Sequence, residues 1–410
     1  MRILVLNQYF YPDSSATGQL TTECCEDLAK HHEVHVVTGR PSYDPAGGGP
    51  SKGFISHERY GRVRVERVWS TTFHRSNPVG RITNYFTFLA TAVIGGLSVK
   101  RPDIVMALTD PPPVGVVGVL VARVHKVPFV LVTKDIHPEV AVKVGALKNR
   151  AVVGALRRTM RFLFRSAVSV VSIGHDMSQR LVELGVPASK IELIHDWTDA
   201  ELVKPLDRPS HLRERGEWND RFVVMHSGNV GMSQGVDWIV STADELRDET
   251  DVLFVIVGEG SAKAALQAEV ARRRLENVVF LPYQPKEDLS DSLGAADVHI
   301  VGLREGLAGY IVPSKVYGIL AAGKPFIVAV EDGSEPARII AEERCGIRVP
   351  PGDTRAIAQA VRELRNMSDD ERQEMGLRGR KALEERYGRG RASAAYERLL
   401  TDVARRTSQA

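Results

Sequence analysis

Two stretches of the chain hold residue types that can do chemistry at useful spacing. The first runs from Gly309 to Val328 and reads as a glycine-containing loop, a helix opened by Pro313-Ser314, and a buried strand. Proline is tolerated in a first helical turn, and a helix start leaves several backbone N–H groups without intrahelical partners. Those amides, the positive end of the helix dipole and Lys315 form a cradle suited to a diphosphate. The chemistry implied is the handling of a phosphorylated donor such as a nucleotide-sugar. An ordinary loop and helix of an α/β domain fits the same residues. The second stretch, Val132 to Glu139, places Lys134, Asp135, His137 and Glu139 within six residues of one another, directly after an apolar run.

These groups need elements that bring them to a common edge. In the first half, apolar strands are expected at Arg2–Leu6, Glu33–Thr38, Val63–Val68, Ile104–Leu108, Phe129–Thr133, Ser169–Ile173 and Lys190–Ile194. Helical patterns lie between them at Gly18–His31, Pro113–Val124 and Asp176–Leu184. Buried strands alternating with helices imply a parallel sheet covered on both faces. Residues 196–219, with Pro205, Pro209 and mixed charges, read as a linker or domain edge. The pattern then restarts with strands at Phe222–Ser227, Val252–Val257, Val278–Leu281, Val298–Gly302 and Pro325–Val330. Helices are expected at Val236–Arg247, Ala262–Arg274, Glu287–Ala295 and Glu335–Glu343, and a charged helical tail runs from Asp369, broken near Tyr387–Gly390. Ligands of such sheets bind beyond the carboxyl ends of the strands, here in a cleft between two Rossmann-like domains.

The chain has 410 residues, 43% hydrophobic and 26% charged, the composition of a globular protein with two or three domains. A net charge of +3 gives no argument for nucleic acid. Cys24, Cys25 and Cys345 make neither a disulfide framework nor a zinc spacing, which points to a reducing cytoplasm. The start, Met1-Arg-Ile-Leu-Val-Leu-Asn7, reads as a strand and not a signal peptide. The uncharged run Ile82–Val99 is interrupted by Thr, Asn, Ser and Gly, and reads as a buried or interfacial helix.

The two wound halves, the Gly258-Glu259-Gly260 strand end and the Pro313-to-Pro325 segment together resemble the GT-B fold glycosyltransferases of family 4. The opening Asn7–Gly18, followed by residues 37–43, is similar to the branch that builds bacterial surface polysaccharides, the fucosaminyl and colanic-acid type. The resemblance spans essentially the whole chain. It implies an acceptor-side domain over residues 1–200 joined by a crossing helix at about 388–410, and a nucleotide-sugar-binding domain over 201–387. Donor contacts carried over from it fall on Gly228, Asn229 and Gly231; on Gly258, Glu259 and Gly260; on Tyr283 and Gln284; and on Glu305, Gly309, Tyr310, Ser314 and Lys315. On the first domain, Gly18 with Ala16 and Thr17 would form the loop above the diphosphate. Lys134 stands at the family's histidine place and Asp135 at its aspartate, with His137 three residues on, so Asp135 and His137, and then Glu139, are expected to contact sugar or acceptor.

The departures matter too. The family's two glutamates fall on Tyr310 and Gly318, and the expected Arg and Lys fall in Gly231–Gln234, where there is no cation. Lys315 or Arg304 must then carry the positive charge, helped by backbone donors. The resemblance implies retention of anomeric configuration through a same-face displacement, with positioning and charge stabilisation from the protein. No metal cofactor is expected, since the chain contains no Asp-x-Asp.

No acidic residue occurs from Val140 to His175, while Arg157, Arg158, Arg161 and Arg165 alternate with large apolar residues. That composition suits an anionic lipid surface, and a solvated basic face over a buried apolar stripe is the alternative. The reading is a hexosyltransferase, of an N-acetylated or deoxy sugar, using a nucleotide diphosphate donor. It would work peripherally on the inner face of the cell membrane, where an undecaprenyl-diphosphate-linked saccharide is the acceptor. A non-hydrolysing sugar-nucleotide 2-epimerase and a non-catalytic nucleotide-binding assembly protein are the alternatives. A Rossmann oxidoreductase is disfavoured because Pro12–Gly18 lacks Gly-x-Gly-x-x-Gly.

Overall fold

The computed structural model describes residues 1–13, 15–41, 53–73 and 78–409. Ser14, Ser42 and Tyr43 of the N-terminal motif lie outside the described residues. The chain divides into two compact units, Met1–His195 with Arg389–Ala410, and Asp196–Gly388.

The first unit is built from β1 (Arg2–Leu6), α1 (Ala16–Leu28), β2 (Glu33–Thr38), β3 (Ile55–Tyr60), β4 (Val63–Val68), α2 (Pro78–Ser98), β5 (Ile104–Leu108) and α3 (Val114–His125). It continues through β6 (Phe129–Val132), α4 (Glu139–Lys143), α5 (Arg150–Ser166), β7 (Ser169–Ser172), α6 (His175–Glu183) and β8 (Ile191–Leu193). Its sheet runs β3-β4-β2-β1-β5-β6-β7-β8. All pairs are parallel except β3 with β4. Strands β5, β6 and β7 are buried along their whole length, as strands covered on both faces must be. Antiparallel β3 was not anticipated: its polar sequence Ser-His-Glu-Arg lacks an apolar face, because it forms an exposed edge. Helices α2 and α3 press onto the sheet through glycine. A Cβ at Gly95 would lie 2.6 Å from Val68, and one at Gly118 2.5 Å from Phe129. The uncharged run thus packs Phe88 and Ala92 inward and leaves Ile82 and Phe86 exposed. Among the described residues no helix is long and apolar enough to cross a membrane.

The second unit comprises α7 (His211–Arg215), β9 (Phe222–Ser227), α8 (Val236–Glu245), β10 (Val252–Val257), α9 (Lys263–Arg273), β11 (Val278–Leu281), α10 (Leu289–Gly294) and β12 (Val298–Gly302). It is completed by α11 (Lys315–Ala321), β13 (Phe326–Ala329), α12 (Glu335–Glu343), β14 (Gly346–Val349), α13 (Thr354–Asn366) and α14 (Asp369–Ala382). The sheet order is β11-β10-β9-β12-β13-β14, parallel throughout. The 196–219 stretch is folded rather than a bare linker. Asp291 accepts from the backbone N–H of His211 and Leu212, and Leu212 and Trp218 are buried with Val223 and Met225 of β9. Part of the charge there is paired to this unit, such as Arg213 with Asp297 at 3.0 Å, while Glu201, Asp207 and Arg215 are exposed.

The final helix, α15 (Arg389–Gln409), belongs to the first unit and packs on α1. Arg389 donates from Nε to Asp27 at 2.8 Å and from Nη2 to Glu26 at 3.3 Å, and Ser393 Oγ reaches Asp27 at 2.8 Å.

Candidate functional site

The carboxyl ends of β9, β10 and β11 and the loop before α11 meet in the second unit. Strand β9 is apolar except for His226, and ends at Ser227-Gly228. Gly228 has φ +131°, a conformation open to glycine, and a Cβ placed there would stand 3.3 Å from Cε and 3.5 Å from Nζ of Lys315. Lys315 Nζ lies 3.1 Å from His226 Nε2. Although Lys315 as a residue is half-buried, its ammonium end is enclosed, and burial pulls its pKa down to about 7. His226 is held well below the usual histidine range, by burial first and then by the Lys315 cation. Its Nε2 also lies 3.4 Å from the Asn229 carbonyl. With Nε2 as acceptor toward the ammonium, the pair carries one positive charge at the end of β9 at low pH and loses it as pH rises through about 7.

The glycines of the β10 loop have a local cause as well. A Cβ on Gly258, at φ +137°, would fall 1.9 Å from the Gly228 carbonyl oxygen, and one on Gly260 2.2 Å from that of Val230. Two backbones are stacked here. Gly228 N–H donates to Val257 at 2.9 Å, Val230 N–H to Glu259 at 2.9 Å, and Ala262 N–H to Val230 at 3.1 Å. The Glu259 side chain is engaged by Lys263 at 2.6 Å. Tyr283, 43% exposed, places Cε1 3.4 Å from where a Gly258 Cβ would be, so its ring lies open beside this loop. Gln284 donates to the Pro282 carbonyl at 3.0 Å, and the Asn229 amide folds over Gly231.

The cradle before α11 is narrower than the sequence implies. Helix α11 has seven residues, with Lys315 as its first and Ser314 at the cap position. Tyr310 and Ile311 donate their N–H groups to the Leu307 carbonyl, at 3.0 and 3.4 Å, and Pro313 has none to give. The N–H groups of Ser314 and Lys315 have no acceptor among the described residues. Gly309, at φ +77°, turns the loop. Glu305 is exposed, and Glu331 holds the turn after it, accepting from Gly306 N–H at 2.9 Å and Ala308 N–H at 3.2 Å. Arg304 is committed elsewhere, to Asp237 at 2.7 Å and the Met232 carbonyl at 2.6 Å. Of the two candidate cations, Lys315 is the one beside the Gly228 turn. The place of the family's second glutamate, Gly318, faces Leu293, 3.5 Å from a Cβ there.

His226 and Glu331 were not anticipated. A signal for His226 exists in the sequence, one polar residue inside an otherwise apolar buried strand. The signal is not specific, because His299 in β12 has the same pattern and donates from Nε2 to the Leu293 carbonyl, 2.9 Å away, as a packed core histidine.

In the first unit, the loop after β6 is anchored by Thr109, whose Oγ1 accepts from Lys134 N–H at 3.0 Å. His137 Nε2 and Asp135 Oδ2 stand 3.8 Å apart, close but beyond hydrogen-bond distance, with His137 one-quarter exposed at 25%. Burial, then the nearby Arg81 charge, pushes the His137 pKa down to about 4, so its imidazole is neutral at pH 7 and can accept from a hydroxyl. Lys134, at the family's histidine place, is buried. Glu139 is paired with Arg157 at 2.9 Å and is therefore tied to α5. Gly18 sits within the first turn of α1 and not in the loop before it. Its N–H donates to the Ser15 cap at 3.1 Å, and a Cβ would meet that oxygen at 2.8 Å.

Helix α5 divides its residues sharply. Met160, Leu163 and Phe164 are buried, and Leu163 reaches within 2.7 Å of a Cβ built on Gly115 of α3. Arg158, Arg161 and Arg165 share one exposed stripe by their i, i+3, i+7 spacing. Arg157 is exposed but paired with Glu139, whereas Arg158, Arg161 and Arg165 show no ion pair among the described residues. Exposed apolar side chains beside them are Phe162 and Val152, with Leu120 and Val124 on the adjoining α3.

The comparisons with known proteins agree with this arrangement. The family described as "Glycosyl transferases group 1" matches residues 221–367, and the "Glycosyl transferase 4-like domain" matches residues 16–197. The chain is a member of the glycosyltransferase family. The two matches fall on the second and first units respectively, and the family assignment favours transferase over 2-epimerase. WbjE of Pseudomonas aeruginosa, named as a glycosyltransferase, is 32% identical over 65% of this chain and 66% of its own length. WcaI of Escherichia coli K12, named as a glycosyl transferase of colanic acid biosynthesis, is 27% identical over 88% of this chain and 92% of its own. The fold is GT-B, shared with Anabaena Alr3699/HepE in complex with UDP and glucose. That structure has a TM-score of 0.73 at 15% identity, covering 98% of this chain and 99% of the other. Sucrose-phosphate synthase of Thermosynechococcus elongatus gives 0.76 at 16% identity over 98% and 99%.

Proposed function

We propose that this glycosyltransferase moves a hexose from a nucleotide diphosphate sugar to a lipid-linked saccharide in the assembly of a bacterial surface polysaccharide. The observation that carries the donor half is the enclosed Lys315 ammonium beside Gly228, at the strand ends of the second unit. A diphosphate at that place meets one cation, the N–H groups of Ser314 and Lys315, and a turn without a side chain. Charge that grows on the leaving diphosphate as the glycosidic bond breaks would be stabilised there by groups already in position. Relatives named for colanic acid and O-antigen synthesis support the polysaccharide role. Structural neighbours holding UDP and UDP-glucose support a uridine donor.

The reaction proposed is retaining: the acceptor oxygen attacks the face the diphosphate leaves, and a donor phosphate oxygen takes the acceptor proton. Neutral His137 and the Asp135 carboxylate contribute by accepting hydroxyl hydrogen bonds, which fix sugar or acceptor orientation. No metal is required in this scheme, since Lys315 carries the counter-charge. Attachment to an anionic inner leaflet is proposed through Arg158, Arg161 and Arg165 with Phe162.

A thermal-shift panel of UDP-, GDP- and dTDP-sugars tests the donor class. A donor at 100 times its Kd adds about 2.7 kcal/mol to stability. The stabilising donor is then incubated with a lipid extract, and NMR of the product reads the anomeric outcome. Stabilisation by a nucleotide-sugar with product of retained configuration is expected; no stabilisation by any of the three refutes the reading.

A further inference from the structure

Cations that hold the leaving diphosphate have to be fixed in place as well as present. In this chain the loop following β9 has Asn229 and Gln234 but no Arg or Lys, and the cation beside the Gly228 turn arrives from α11. A lysine side chain has four rotatable bonds and gains from extending into water. Its position here is set by the single acceptor that meets it, His226 Nε2 at 3.1 Å, on a residue that is fully buried. On the opposite side, Gly228 leaves the space that a side chain would have filled.

We propose that His226 is a positioning residue for the donor diphosphate: its Nε2 accepts from Lys315 and holds the ammonium at the open Gly228 turn. This rests on the donor reading above. His226 does not touch the donor in this account; it acts through Lys315. The other charged groups on neighbouring elements are engaged elsewhere, Lys263 of α9 with Glu259 and the carbonyls of Gly258 and Leu281. His299 of β12 is bonded to the Leu293 carbonyl and kept neutral by burial. Arg380 of α14 donates to the carbonyls of Val203, Ala321 and Ala200 and to Glu384. Among the described residues no carboxylate pairs with Lys315, and in this account the incoming diphosphate is the anion that completes the site.

A consequence separates positioning from mere packing. Burial has already brought Lys315 close to neutrality, so an arriving diphosphate re-protonates it and binding takes up a proton above pH 7. At pH 8 the phosphates of UDP, with a last pKa of about 6, are ionised and do not contribute. Loss of the His226 acceptor lowers the Lys315 pKa further and costs affinity most on the alkaline side.

The test is calorimetric titration of UDP into the full chain at pH 6.5 and pH 8. Buffers of different ionisation enthalpy report the protons exchanged. Wild type should take up close to one proton at pH 8. His226→Phe, of similar size and without an acceptor, should bind about tenfold more weakly at pH 8 than wild type, with a smaller loss at pH 6.5. His226→Gln, whose Oε1 replaces Nε2, should recover most of the affinity at pH 8. Lys315→Met should remove both proton uptake and the pH dependence. Wild-type binding with His226→Phe matching it at both pH values overturns the inference and leaves the donor reading standing. Equal loss in His226→Phe and His226→Gln, with both folded by circular dichroism, also overturns it. Failure of wild type to bind any nucleoside diphosphate overturns the donor reading itself, and the inference with it.

Discussion

In the proposed scheme Lys315 does the work that the family resemblance assigns to an arginine and lysine in another loop. A buried ammonium costs the fold, and a lowered lysine pKa means that the folded state holds its proton less tightly than the unfolded one. That penalty is full below the folded value of about 7 and fades as pH rises toward the unfolded value near 10.4. Lys315→Met is therefore expected to raise the melting temperature at pH 7 by a few degrees while weakening UDP binding by at least tenfold. Scanning fluorimetry with and without UDP reads both, and a variant that loses stability together with binding would argue for a structural lysine. Lys315 was legible in the sequence because it follows Pro-Ser at a helix start. His226 was not, since a histidine inside an apolar strand is as often a packed one, as His299 is. Asp135 and His137 were legible as a dense ionisable run, but their neighbour Glu139 was not separable from them. Its partner Arg157 is eighteen residues away on another helix, and only packing brings the two together.

At the scale of elements, the site is held by backbone stacked on backbone. The β9 and β10 loops lie so close that a methyl group at Gly258 collides with the Gly228 carbonyl. Gly258→Ala combines that clash with an unfavourable φ, and should cost at least about 2 kcal/mol in urea unfolding. A change under 0.5 kcal/mol would show that the loops are free to separate. The α1–α15 contact gives a second prediction. Burial works to raise the Asp27 pKa, but hydrogen bonds from Arg389, Lys30 and Ser393 outweigh it and hold the carboxyl below its usual range. A depressed carboxylate stabilises the fold above its unfolded pKa, about 3.9, and that contribution is lost as pH falls through the folded value. Arg389→Ala should cost about 2 kcal/mol at pH 7 and progressively less as pH falls through the lowered Asp27 value; a cost independent of pH would locate it in packing instead. The buried strands of both sheets were readable because parallel strands covered on two faces are continuously apolar. Edge strand β3 and the folded 196–219 segment were not, because their stability comes from partners distant in sequence. Asp291, for example, lies eighty residues beyond His211.

For the whole molecule, two wound units and the family assignment were within reach of the sequence, because strand and helix periods alternate cleanly in both halves. The surface proposed to face lipid was only half legible. The acid-free composition of 140–175 is plain, yet it does not say that Met160, Leu163 and Phe164 turn inward and leave the arginine stripe with one aromatic beside it. Each basic side chain near an anionic leaflet adds about 1 kcal/mol. Reversing Arg158, Arg161 and Arg165 to glutamate should then weaken sedimentation with phosphatidylglycerol vesicles at least a hundredfold. Wild type should release at high salt. Equal binding to neutral vesicles would contradict the electrostatic part of the account.

The central claim, that the second unit holds the diphosphate of an activated sugar at Lys315, is tested most directly by diffraction from crystals of the full chain grown with UDP. The account predicts a diphosphate oxygen within hydrogen-bond distance of Lys315 Nζ, over the Gly228 turn. Nucleotide bound elsewhere, with Lys315 closed off by packed side chains, would contradict it.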